Sequence, residues 1–322
     1  MKILYGIQST GNGHFTRSSK IIGKLIKSGC HVDIITSGNN SQINFPFPIK
    51  RNFRGLTFYY DGKGEIDYTK TFFELKFFRL LKDIKMDISD YDLIISDYEP
   101  ITAWAAEFQN KISIGISNQC SFLSKNTPRP KKKEFLGEFL LKWMAPVKYP
   151  IGLHFDKYDQ FIKPPILRDS LIGIEPKNLG HYTVYLSNWR YEFLVKHLID
   201  FDVKFDVFTN IKKPTRFKNC FLKPIDKKLF DESLINSEGV ITTGGFQTCA
   251  ESIYLNKKLI VLPIGGQYEQ LCNAESLKGL GAHVGEISDI EGFMSNNNQQ
   301  IYHNIYDSTD EIVKEILNFR FK

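Results

Sequence analysis

Short apolar runs alternate with amphipathic stretches along the whole chain, and near the middle the alternation starts again. That pattern belongs to α/β folds with parallel sheets, in which each buried strand is followed by a helix that covers it. The first series of strands is expected at 2–8 (KILYGIQ), 31–37 (HVDIITS), 92–97 (DLIISD) and 111–117 (KISIGIS), with helices over 15–28, 71–85 and 100–109. The second is expected at 181–187, 204–209, 239–245 and 258–264, with helices over 190–199, 227–236, 246–256 and 269–279. Between the series, the Pro- and Gly-rich stretch KPPILRDSLIGIEPKNLG (163–180) lacks periodicity and reads as a linker. The expected organisation is a doubly wound domain over 1–163, a linker over 164–180 and a second doubly wound domain over 181–322, whose last helix can pack back on the first.

Bulk properties exclude several classes. A chain of 322 residues exceeds what one core usually supports, which agrees with two domains. No run approaches the roughly 20 apolar residues needed to span a bilayer. Met1 leads straight into a strand and not into a secretory signal, so a cytoplasmic protein is expected. The five cysteines, Cys30, Cys120, Cys220, Cys249 and Cys272, are widely spaced without a CxxC pair, which suits reduced thiols and no zinc. The net charge of +6 is uneven: residues 1–168 carry 25 Lys/Arg against 16 Asp/Glu, and 169–322 carry 17 against 20. A large anionic partner would meet the first half.

In doubly wound sheets, ligands bind where loops leave the C-terminal strand ends. After the first strand comes Ser9-Thr10-Gly11-Asn12-Gly13-His14, a glycine loop entering a helix, where Gly11 and Gly13 permit close approach of a polar ligand and His14 stands at the ligand edge. A nicotinamide fingerprint is disfavoured, because Thr16 replaces its third glycine and no acid ends the second strand. Asp97 ends another strand at the same edge. It either orients His14 as a general base or caps the helix that starts near Pro100.

In the second half, Thr243-Gly244-Gly245-Phe246-Gln247-Thr248 follows a buried strand and opens a helix, an anion site suited to a diphosphate. Glu251, about two turns further on, could accept from ribose hydroxyls. Gln267, Glu269 and Gln270 gather at the next strand end, suitable for sugar hydroxyls. Two D-x-D triplets, Asp90-Tyr91-Asp92 and Asp200-Phe201-Asp202, precede strands and so lie away from the ligand edge; no metal is expected. Arg129 to Lys133 is a basic cluster ahead of Phe135, Leu136, Phe139, Leu140 and Trp143, which share one helical face. That segment is either a core helix with a solvated start or a contact for an anionic membrane surface.

Taken together, G-x-G-H, SDYEPITAWAA, PPILR, TGGFQTCAES and PIGGQYEQLCNA resemble the GT-B glycosyltransferase superfamily, which includes UDP-glucuronosyltransferases and the enzyme that adds GlcNAc to the lipid precursor of peptidoglycan. The resemblance spans essentially the whole chain and is strongest over 243–274. It implies an inverting, metal-independent transferase that uses a nucleotide-diphosphate sugar, with UDP-sugar as donor, no cofactor, and a hydroxyl acceptor of lipid-linked or envelope-precursor type. Position by position it implies that Gly244, Gly245 and Gln247 or Thr248 meet the diphosphate, Glu251 the ribose, and Glu269 and Gln270 the sugar. Backbone groups of Lys223-Pro224-Ile225 would meet uracil, the Ser187-Asn188 loop would close over the phosphates, and His14 and Asp97 would be the catalytic pair. Thr243 and Glu269 stand where the family signature has His and Asp. Alternatives are a sugar-nucleotide 2-epimerase of the same fold and a non-catalytic sugar-nucleotide-binding subunit; a nucleic-acid partner is not expected.

Overall fold

A computed structural model describes residues 1–9, 11–38, 45–55, 77–186, 189–295, 301 and 305–319. The first half forms a seven-stranded sheet of order β3-β2-β1-β4-β5-β6-β7, comprising β1 (Lys2–Gln8), β2 (His31–Ser37), β3 (Arg51–Phe53), β4 (Leu93–Asp97), β5 (Ser113–Ser117), β6 (Tyr149–Leu153) and β7 (Ile162–Lys163). Every pairing in it is parallel. The second half repeats the plan with order β10-β11-β9-β8-β12-β13-β14. Its strands are β8 (His181–Tyr185), β9 (Lys204–Thr209), β10 (Thr215–Phe217), β11 (Cys220–Pro224), β12 (Gly239–Thr242), β13 (Lys258–Val261) and β14 (His283–Val284). Only β10, an exposed edge strand, runs antiparallel to its neighbour. Interior strands such as Ile3, Leu4, Tyr5 and Ile7 of β1 are buried on both faces, which is why they read as continuous apolar runs.

The connecting helices in chain order are α1 (Asn12–Lys27), α2 (Phe77–Asp83), α3 (Pro100–Phe108), α4 (Asn118–Ser121), α5 (Phe135–Trp143), α6 (Tyr191–Leu198), α7 (Lys227–Asn236), α8 (Phe246–Tyr254), α9 (Tyr268–Gly279), α10 (Ile290–Ser295) and α11 (Thr309–Leu317). The helix expected over 71–85 lies partly outside the described residues. The first helix begins at Asn12, three residues earlier than expected, because Gly11 serves as an extended N-cap. His14 therefore occupies the first turn of α1 and not a loop ahead of it. The cap of α3 is Glu99, whose carboxylate accepts from the amides of Ile101 and Thr102 at 2.8 and 2.7 Å. Asp97 is thus free of the capping duty that its position also allowed.

The halves meet along a seam between their C-terminal strand ends. Lys20 of α1 donates to Leu167 O at 2.7 Å and pairs with Asp307 at 2.9 Å, and α11 lies against α1. Phe246 packs on Phe155, ring centres 5.0 Å apart. The basic segment contributes to the same seam: Gly137 and Leu141 of α5 are its buried positions, while Phe135, Leu136, Phe139 and Trp143 remain 88, 49, 51 and 45 % exposed. The reading of this segment as a core helix is therefore corrected, since its apolar stripe faces outward. All five cysteines are free and buried.

Candidate active site

In both sheets the strand order reverses at one point, between β1 and β4 in the first and between β8 and β12 in the second. Such switch points open a crevice at the C-terminal strand ends. Ile7 of β1 pairs with Asp97 of β4, so the Gly11 cap and the first turn of α1, with Gly13 and His14, rise beside the Asp97 carboxylate. His14 Nδ1 lies 2.8 Å from Asp97 Oδ1. Asp97 is wholly buried and accepts three further bonds, from Arg17 Nε at 2.8 Å, Arg17 Nη2 at 2.5 Å and Ser18 Oγ at 2.9 Å. Burial alone would raise its pKa, but the charge of Arg17 and then that of His14 outweigh it, and the carboxyl lies below its ordinary range. An anionic Asp97 only accepts, so Nδ1 carries the hydrogen and the lone pair of the ring is left on Nε2. Arg17 Nη2 approaches Nδ1 to 2.6 Å because both nitrogens share Oδ1 as acceptor.

Arg17 is a site residue that motif reading passed over. The available signal was its spacing: three residues after His14, it lies on the same face of α1.

Across the seam, Glu269 is in the first turn of α9 and its Oε2 accepts from Gln119 Nε2 of α4 at 2.7 Å. Burial raises the Glu269 pKa, opposed by His14, Gln119 and Arg17, so this carboxylate faces the His14 cluster from the second half. The turn after β12 brings Thr243, Gly244 and Gly245 to the N-terminus of α8. A Cβ on Gly244 would stand 2.5 Å from Gln270 O, so only glycine lets α9 approach this turn, and Asn273 Nδ2 bonds Gly244 O at 3.0 Å. A Cβ on Gly13 would lie 3.4 Å from Gln247 Cβ, which sets the N-termini of α1 and α8 face to face.

Not every expected residue presents itself freely. Both Glu251 oxygens are held by Arg168 of the linker, at 2.8 Å from Nε and 2.5 Å from Nη2, and Gln247 Nε2 adds a third bond at 2.7 Å. Arg168 also pairs with Asp231. It stands in the PPILR motif but could be given no task from sequence. Gln270 is turned to its own loop, donating to Gln267 Oε1 at 2.6 Å and accepting from Ile264 N at 3.2 Å. Thr248 is half-buried on α8, Ile225 is exposed just after β11, and Ser187 lies outside the described residues.

Five buried side-chain atoms on these strand-end segments have no partner among the described residues: Asn118 Oδ1, Gln119 Oε1, His154 Nε2, Gln247 Oε1 and Asn273 Oδ1. Each amide nitrogen is tied to an oxygen acceptor, Leu153 O, Glu269, Ile166 O and Gly244 O respectively, so the unpartnered atoms are oxygens whichever way the amides are drawn. His154 Nδ1 accepts from Phe155 N at 2.9 Å, which leaves Nε2–H as a donor. Four acceptors and one neutral donor in a buried seam suit hydroxyl-rich ligands.

The sequence profile of glycosyl transferase family 1 matches residues 1–297. The chain belongs to this family. It is a glycosyltransferase of GT-B fold that uses nucleotide sugars. No curated protein matches the sequence. Among solved structures, MurG of Acinetobacter baumannii superposes with a TM-score of 0.59 at 12 % identity, covering 99 % of each chain. Arabidopsis thaliana UGT89C1, solved with UDP, gives 0.57 at 12 % identity over 98 % of this chain and 94 % of that one. CalG4, the calicheamicin glycosyltransferase, gives 0.56 at 13 % identity with the same coverage. At these identities the likeness is one of fold, and both sheets follow the two-Rossmann plan expected.

Proposed function

We propose that this family member is an inverting, metal-independent transferase that moves a sugar from UDP-sugar to an acceptor hydroxyl. The observation that carries the proposal is the His14–Asp97 pair, set at the first switch point opposite the N-terminus of α8 and Glu269. Residues 1–163 would hold the acceptor and 181–322 the donor, with 164–180 as hinge. His14 Nε2 takes the proton of the acceptor hydroxyl while Nδ1–H stays on Asp97, which stabilises the imidazolium that forms. The acceptor oxygen attacks the anomeric carbon as its bond to the diphosphate breaks, and the electron pair leaves with the diphosphate. Amides at the start of α8, beside Gly244 and Gly245, meet that developing charge. Glu269 and the unpartnered amide oxygens accept from sugar hydroxyls. Glu251 reaches the ribose only if Arg168 is displaced toward Asp231 or the phosphates. The acceptor is lipid-linked and met at an anionic surface, a reading supported by the outward apolar stripe of α5.

Thermal unfolding with a panel of nucleotides tests the donor half. UDP at one hundred times its dissociation constant should add about 2.7 kcal/mol of stability, equally with and without EDTA. Stabilisation by another base alone, or only with added magnesium or manganese, would overturn the donor or the metal-free mechanism respectively.

A further inference from the structure

We propose that the outer face of α5 docks on an anionic bilayer and that this docking sets the cleft, because the inner face of the same helix grips a residue beside each site carboxylate. The proposal rests on the reading above that the acceptor is met at such a surface, and adds to it a mechanical link.

The charge pattern of α5 fits that partner. Lys131, Lys132 and Lys133 are exposed just before the apolar stripe, and Lys142 is exposed near its end, with Nζ 5.1 Å from the centre of the Trp143 ring. Glu138 would oppose an anionic surface but is turned inward, where its Oε1 accepts from Tyr268 Oη at 2.7 Å and Arg129 Nε at 2.8 Å. The stripe continues into an apolar groove of about 340 Å³ lined by Leu80, Trp104, Phe139, Leu140, Trp143 and Met144. Apolar area plus cations is the combination that binds an anionic interface.

The inner face makes the link. Tyr98 follows Asp97 directly, takes a left-handed backbone with φ of 53°, and donates its hydroxyl to Leu140 O at 2.9 Å. Tyr268 precedes Glu269 directly, and a Cβ on Gly137 would stand 2.4 Å from its ring. One short helix is thus seated on both halves, next to Asp97 on one and next to Glu269 on the other. Fixing α5 at an interface restrains both contacts at once. By reciprocity, whatever closes the cleft alters affinity for the surface.

The test pairs co-sedimentation with hydrogen exchange on the full chain, using phosphatidylglycerol vesicles against phosphatidylcholine vesicles. We expect the protein to sediment with the anionic vesicles only, and amides of residues 266–273 then to exchange about tenfold more slowly. Gly137→Ala drives a methyl into Tyr268 and leaves the outer face intact, so it should sediment normally without the slowing. Glu138→Gln, which weakens the Tyr268 and Arg129 contacts, should reduce the slowing if Gly137→Ala fails to fold. Phe135→Ser with Phe139→Ser should abolish both signals. Sedimentation of wild type with unchanged exchange would overturn the coupling and leave the surface reading standing. Failure of wild type to sediment would overturn both.

Discussion

The usefulness of His14 depends on which of its nitrogens holds the hydrogen, and that is decided by Asp97 and, one turn along α1, by Arg17. His14→Ala should leave donor affinity unchanged, since the proposed donor residues belong to the other half, yet lose on the order of 10²–10⁴ in turnover. Calorimetric titration and initial rates on one preparation separate the two. Asp97→Asn should lower turnover in the same way, and the double variant should be little worse than either single one. Asp97→Asn carries a second effect that His14→Ala does not. It strands a buried guanidinium, and breaking such a pair costs about 3–5 kcal/mol, visible as a fall in thermal stability. Near-normal turnover of His14→Ala would remove the ring from the chemistry.

At the scale of elements, the close fit of α9 against the turn before α8 depends on one missing side chain. Gly244→Ala puts a methyl 2.5 Å from a backbone oxygen that cannot swing away, so α9 must shift. Such overpacking costs about 1–3 kcal/mol, which urea unfolding would register, and donor affinity should fall with it. Long interior strands were legible in the sequence because burial on both faces leaves them uniformly apolar. Short ones were not: β10 is wholly exposed, and β6 contains Pro150 and Gly152, which break a strand pattern. Strand-end logic likewise pointed to His14, Asp97 and Glu269. It could not reveal Arg17, Gln119 or Arg168, whose tasks are set by partners 80, 150 and 83 residues away in sequence. Nor could it foresee that α5 would keep its apolar stripe outside, since the pattern of a core helix and that of an interfacial one are alike.

For the molecule as a whole, acid stability should carry the mark of His154. Burial, with a smaller contribution from the Arg129 charge, lowers its pKa to about 3. The unfolded chain takes up that proton as pH falls below about 6.5, whereas the folded protein refuses it until about 3, so stability declines across that window by about 1.4 kcal/mol per pH unit. Glu99 and Glu269, raised by burial, act with the opposite sign: their contribution is present below the unfolded carboxyl pKa and is lost as pH rises through the folded one. Urea melts of wild type and His154→Gln at several pH values isolate the imidazole, and parallel curves would contradict its burial as a neutral group. The buried thiols supply a different kind of handle. Cys120 on α4 and Cys272 on α9 flank the seam from opposite halves, and burial first of all pushes their pKa values to about 11 and about 12. A thiol reacts with an alkylating agent as thiolate and only when reached, so both, buried as they are, should label slowly. Cys249, at the heart of α8, is wholly buried and donates to Thr243 O at 3.4 Å within its own half, so it should be the slowest of the three to label. Labelling of Cys120 and Cys272 ahead of Cys249 would therefore report a parting of the halves, a clock already wound into the unmodified chain.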